Sequence, residues 1–140
     1  MRIVLDTNVI ISGLFWGGIP GKIIDGGLKN KKYTFCFSNE TLDELKDVLS
    51  FPKLQPQIQK LNFMVEDFLI ELSELSLIFL TNAQNNIIKD HPADDKFLAC
   101  AFASGARYII SGDQHLLKLK KFQSISILNP RQFLNQIKKK

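Results

Sequence analysis

The order of apolar segments predicts an α/β sandwich built on a mostly parallel sheet. Short apolar runs recur along the chain and alternate with stretches whose apolar residues fall at helical spacing. The runs are continuous rather than alternating, as in strands buried on both faces of a sheet. The 140 residues, 45% hydrophobic and 23% charged, have the composition of one globular domain spanning 1–140. A chain of this size buries roughly 65–70% of its unfolded surface, enough for a core without disulfides or a structural metal.

Ile3-Val4-Leu5 is the first strand and ends on a polar cluster. Val9 to Trp16 is expected to turn at Ser12-Gly13 and Gly17-Gly18, and Pro20 to open a short helix through Leu28. Tyr33 to Phe37 reads as a second strand, with Ser38 the N-cap of a helix to about Ser50 and Phe51-Pro52 its end. From 56 to about 76 the spacing of Ile58, Leu61, Met64, Val65, Phe68, Leu69, Leu72 and Leu75 predicts one long amphipathic helix. Leu77 to Leu80 reads as a strand and Asn82 to Pro92 as a polar loop. In a helix from Ala93, Phe97, Leu98, Ala101 and Phe102 make one face and Gly105 is the stop; the strand Tyr108-Ile109-Ile110 ends at Ser111-Gly112-Asp113. A short helix from Gln114 to Leu119, a strand Ile125–Leu128 and a helix after Pro130 complete the pattern. Right-handed crossovers leave few topologies for this order.

Charge is unevenly placed. The formal net charge is +4, yet residues 114–140 carry Lys118, Lys120, Lys121, Arg131, Lys138, Lys139 and Lys140 with no acid, so the rest of the chain is acidic. Such a tail is either a solvated end or a phosphate-attracting patch beside an acidic site. Cys36 and Cys100, 64 positions apart in apolar surroundings, read as reduced core residues of a cytoplasmic protein. Asp6 breaks the first apolar run too early for a signal peptide, and the greasiest stretch, Phe68 to Leu80, contains Glu71 and Glu74, so no membrane span is expected.

In open parallel sheets, function collects outside the carboxyl ends of strands where strand order reverses. Asp6 ends the first strand and Asp113 a later one; Asp95 begins the helix leading into the Asp113 strand. The helix after the second strand offers Glu40, Asp43, Glu44 and Asp47. At 100° per residue Glu44 borders the apolar face of Leu42, Leu45, Val48 and Leu49, while Asp43 and Asp47 point away. Taken singly, each acid is an ordinary surface carboxylate. Gathered together they would repel, and a hard divalent cation relieves that repulsion. Oxygen-only ligands favour Mg²⁺ or Mn²⁺ over zinc, and one or two such ions suit phosphodiester hydrolysis.

Four blocks in order carry a resemblance over nearly the whole chain: Ile3-Val4-Leu5-Asp6-Thr7-Asn8-Val9; Glu44-Leu45 followed by Val48-Leu49; Pro92-Ala93-Asp94-Asp95-Lys96-Phe97-Leu98; and Ser111-Gly112-Asp113 with His115-Leu116-Leu117. They resemble the PIN domain family, and within it the toxin components related to VapC-type ribonucleases. The resemblance implies a three-layer α/β/α sandwich and a Mg²⁺- or Mn²⁺-dependent endoribonuclease. It implies that Asp6, Glu44, Asp95 and Asp113 hold the metal, with Asn8 and Ser111 orienting ligands or water behind them. It further implies an RNA substrate, a cognate antitoxin as partner and a homodimer. One departure concerns the loop: His91-Pro92 stands where members of this group often have Asp-Pro. The choice of Asp95 over Asp94 rests on the following Lys-Phe-Leu-Ala, Asp94 being an alternative N-cap.

The alternative class is a catalytically silent PIN-like module that binds RNA or protein without turnover. Gly17-Gly18-Ile19-Pro20-Gly21-Lys22-Ile23 is no phosphate loop, being one residue short between glycines and having Ile23 where Ser or Thr would meet Mg²⁺. A haloacid-dehalogenase-type reading of Asp6-Thr7-Asn8 fails because Asn8 cannot be the second acid. His91 and His115 lack partners at catalytic spacing along the sequence. Phe15 and Trp16 either cover the sheet edge or serve a dimer contact or base-stacking platform. Glu66, Asp67, Glu71 and Glu74 read as the solvated face of their helix.

Overall fold

The computed structural model describes residues 1–81 and 92–138, with the backbone alone for 92–95. Among these residues six strands form one sheet in the order β3-β2-β1-β4-β6-β5, where β1 is Arg2–Leu5, β2 Thr34–Ser38, β3 Leu77–Phe79, β4 Tyr108–Ile110, β5 Lys121–Phe122 and β6 Ile125–Leu128. All pairings are parallel except β5 with β6. β1 lies at the centre, with Ile3 opposite both Phe35 and Tyr108 and Leu5 opposite Ile110.

The alternation of side chains along β1 explains the layers. Ile3 and Leu5 face one side, against α1 (Thr7–Trp16), α2 (Gly18–Leu28), α3 (Asn39–Leu49), α5 (Val65–Leu75) and α8 (Pro130–Lys138). Val4 faces the other, with Cys36, Ile109 and Ile127, against Phe97, Leu98, Cys100 and Ala101 of α6 (Pro92–Ser104) and Leu116 of α7 (Gln114–Leu117). The result is the three-layer α/β/α arrangement. On the α8 side, Phe133 is fully buried and meets Tyr33 and Tyr108 edge-on at 5.2 and 5.6 Å between centroids. Cys36 and Cys100 are both buried free thiols; burial pushes Cys36 up and Cys100 to about 12, so neither is a nucleophile at neutral pH.

Three expectations need correction. Val9–Trp16 is helix rather than turn: Asp6 caps α1, and the helix runs through Ser12-Gly13 until Gly17, at φ 69°, closes it with a bond from its N–H to the Gly13 carbonyl. The long helix over 56–76 is broken into α4 (Gln55–Gln59) and α5, because Asn62 and Phe63 are weak helix formers. α5 keeps its apolar spacing, with Val65, Phe68 and Leu72 buried. The helix after Asp113 is a single turn, and Lys121-Phe122 then folds back as the short antiparallel strand β5. The loop expected over Asn82 to Pro92 lies, up to His91, outside the described residues; Pro92 already belongs to α6. Among the described residues no helix is long and apolar enough to cross a membrane.

Candidate functional site

Strand order reverses between β1 and β4: from β1 the sheet grows one way through β2 and β3, and from β4 the other way through β6. The carboxyl ends of these two neighbours therefore open a crevice. Asp6 lies at the end of β1, where its N–H still donates to the Ile110 carbonyl at 2.9 Å and its side chain caps α1. It is 7% exposed. One carboxylate oxygen, Oδ1, accepts the backbone N–H of Asn8 at 3.1 Å; the other, Oδ2, accepts the Ser111 hydroxyl at 2.6 Å. Ser111 Oγ in turn accepts the Asp113 N–H at 2.9 Å. Ser111 is wholly buried and so ties the end of β1 to the end of β4. Asp113 caps α7 through the His115 N–H at 2.9 Å.

Glu44 reaches the same crevice from α3. That helix is set by Ser38, whose hydroxyl accepts the Thr41 N–H while Thr41 Oγ1 accepts the Ser38 N–H. Glu44 Oε2 accepts the Thr7 hydroxyl, and Oε1 accepts Lys96 Nζ at 2.9 Å. Burial raises the Asp6 pKa above its ordinary 3.8. The Ser111 and Asn8 bonds oppose that rise, and the charges of Glu44 and Asp113 add to it. Asp6 thus senses two acids from distant parts of the chain, Glu44 and Asp113, across the sheet edge.

Asp95 lies in the first turns of α6, adjacent to Lys96, and its side chain is outside the described residues. Asn8 contributes its backbone N–H, with an exposed side chain. Among the described residues, no group of three or more His, Cys, Asp or Glu side chains is arranged to hold a metal ion by itself. Two polar residues of the site went unassigned in the sequence reading, Thr7 and Lys96. Both stand beside a singled-out acid, but their partner Glu44 lies 37 and 52 positions away.

Residues 2–115 match the family model of the PIN domain. The chain belongs to the PIN domain family. Its fold is that of other PIN-like α/β/α proteins. The structure is similar to a chain of VapBC2 from Rickettsia felis bound to a DNA fragment from their promoter, with a TM-score of 0.59, 17% identity, and coverage of 92% of this chain and 98% of that one. No curated protein matches this chain in sequence.

Proposed function

We propose that this PIN domain is a Mg²⁺- or Mn²⁺-dependent endoribonuclease and the toxin of a toxin–antitoxin pair. The observation that carries the reading is the convergence of Asp6, Glu44 and Asp113 at the β1/β4 crevice, where the two neighbours raise the pKa of an already buried carboxyl. Hard oxygen donors under mutual repulsion fit a divalent cation, and nothing in the described donor set fits a softer one. Asp6, Glu44, Asp95 and Asp113 would hold it. When bound, such an ion supplies Lewis-acid activation of water and of the phosphodiester.

The chain's own residues then have defined tasks. Ser111 fixes the Asp6 carboxylate and, by accepting the Asp113 N–H, fixes its distance from Asp113. Thr7 and Lys96 hold the two oxygens of Glu44. The exposed Lys118, Lys120 and Lys121, just beyond Asp113, offer charge to the RNA backbone. Similarity to a VapBC2 chain supports an antitoxin partner. A homodimer and a cytoplasmic location complete the proposal.

Replacing Asp6 with Asn tests it. Asn is as good an N-cap as Asp, so α1 should survive. The expected result is loss of metal-dependent cleavage of labelled RNA with an unchanged circular-dichroism spectrum, and DNA oligonucleotides run in parallel identify the substrate class. Full RNase activity in the purified variant refutes the assignment. The pairing of Glu44 with Lys96 favours a second reading, a silent RNA- or protein-binding module. RNA binding without Mn²⁺ uptake would select it.

A further inference from the structure

We propose that Lys96 is the resident counter-ion of Glu44 and holds the place of a second divalent cation, so that the site takes one metal ion per chain. This rests on the metal-dependent reading above and goes beyond it by fixing how many ions the acids admit.

Lys96 Nζ is 2.9 Å from Glu44 Oε1, and the two side chains are only 24% and 27% exposed. That separates the pair from Lys29–Asp25, whose partners are 76% and 53% exposed and 3.7 Å apart. The other Glu44 oxygen accepts the Thr7 hydroxyl. Glu44 is therefore held at both oxygens by groups from two other elements, α6 and α1, and one of those groups carries a full positive charge. Asp6 and Asp113 differ. Asp6 accepts the Ser111 hydroxyl and the Asn8 N–H, and Asp113 accepts the His115 N–H.

In two-metal sites the ions lie roughly 3.5–4 Å apart and share carboxylates. An ammonium at hydrogen-bond distance from Oε1 would repel by like charge a second ion brought beside Glu44. A compact ammonium on a flexible stem is suited to that role. Lys96 acts here through Glu44 and is a positioning residue.

The test is a count of bound Mn²⁺ by electron paramagnetic resonance on the full chain, for wild type, Lys96→Arg and Lys96→Met. One Mn²⁺ is expected for wild type and for Lys96→Arg, which keeps the charge, and two for Lys96→Met, which vacates the place. Should Lys96→Met fail to fold, Lys96→Gln removes the charge while keeping a donor, and two are again expected. Two ions in wild type, or one in the neutral variants, overturn the proposal while leaving the metal-dependent reading intact. No ion bound to wild type overturns both.

Discussion

Ser111→Ala is the sharpest probe of how the β1/β4 crevice is built. The substitution removes a wholly buried hydroxyl that donates to Asp6 Oδ2 at 2.6 Å and accepts the Asp113 N–H at 2.9 Å. A hydrogen bond to an ionised carboxylate contributes about 1.5–3 kcal/mol. The Asp113 N–H lies at a half-buried residue and can turn to water, so the loss is dominated by the Asp6 bond. A decrease of about 2–3 kcal/mol follows. With unfolding entropy near 2.1 cal/mol/K per residue, that lowers Tm by about 7–10 °C for a chain this long. The effect has a pH signature. Asp6 has a folded pKa above 3.8, so from 3.8 up to its folded titration the native state binds more protons than the unfolded chain, and this group's contribution to stability falls as pH rises. Removing Ser111 takes away a bond that held the pKa down, so the carboxyl moves further up. The cost of the substitution is full at neutral pH and shrinks as acid protonates Asp6, which then no longer needs the donor. Thermal melts followed by circular dichroism in a chelator, at pH 7 and stepwise down to about pH 4, measure both effects. A Tm decrease below about 2 °C at pH 7, or one equally large at both ends, would refute the reasoning.

Two further outcomes test the layers that position the crevice. Phe133→Ala should lose about 3–5 kcal/mol in urea unfolding, because the ring is fully buried against Tyr33 and Tyr108; a loss under about 1 kcal/mol would show that α8 does not close that layer. Gly27→Ala should destabilise by about 1–3 kcal/mol even though alanine is the better helix former, since its Cβ would run into the Phe35 ring. Stabilisation by this change, read from the same unfolding curves, would contradict the close approach of α2 to β2.

The parts of the fold that were legible in sequence are those written locally. Ile3-Val4-Leu5 and Tyr108-Ile109-Ile110 are unbroken apolar runs ending on Asp6 and Ser111-Gly112-Asp113, so strand and carboxylate were read together. Glu44 followed from the helical count, since Leu42, Leu45 and Leu49 are buried and it borders them. What escaped depends on partners far along the chain. Ser12-Gly13 resembles a turn, and a glycine within a helix costs about 1 kcal/mol against alanine. α1 continues through it because Gly13 lets α2 pack closely: a Cβ there would come within 2.9 Å of the Pro20 backbone. No periodicity encodes a contact between Glu44 and Lys96, which depends on α3 and α6 meeting over the sheet edge. Lys121-Phe122 is too short to announce a strand and pairs only because the chain turns at Gln123, with φ 55°, onto β6.

The acids and the fold are not separable in this domain. A carboxylate as buried as Asp6, with Glu44 and Asp113 raising its pKa, is a cost to the folded state. What offsets that cost comes from strand ends and helix starts. The Asn8 N–H is one of the donors that a helix leaves free in its first turn, and Asp6 receives it because it is the N-cap of α1. Thr7, the first residue of α1, donates sideways to Glu44 of α3, and Ser111, one residue past β4, donates back to Asp6. Each compensating group is within one or two residues of a junction between strand and helix. The chain can therefore hold its carboxylates together only where β1 and β4 end side by side, which ties the acidic cluster to the topological switch point more tightly than the acids' own positions in sequence would require.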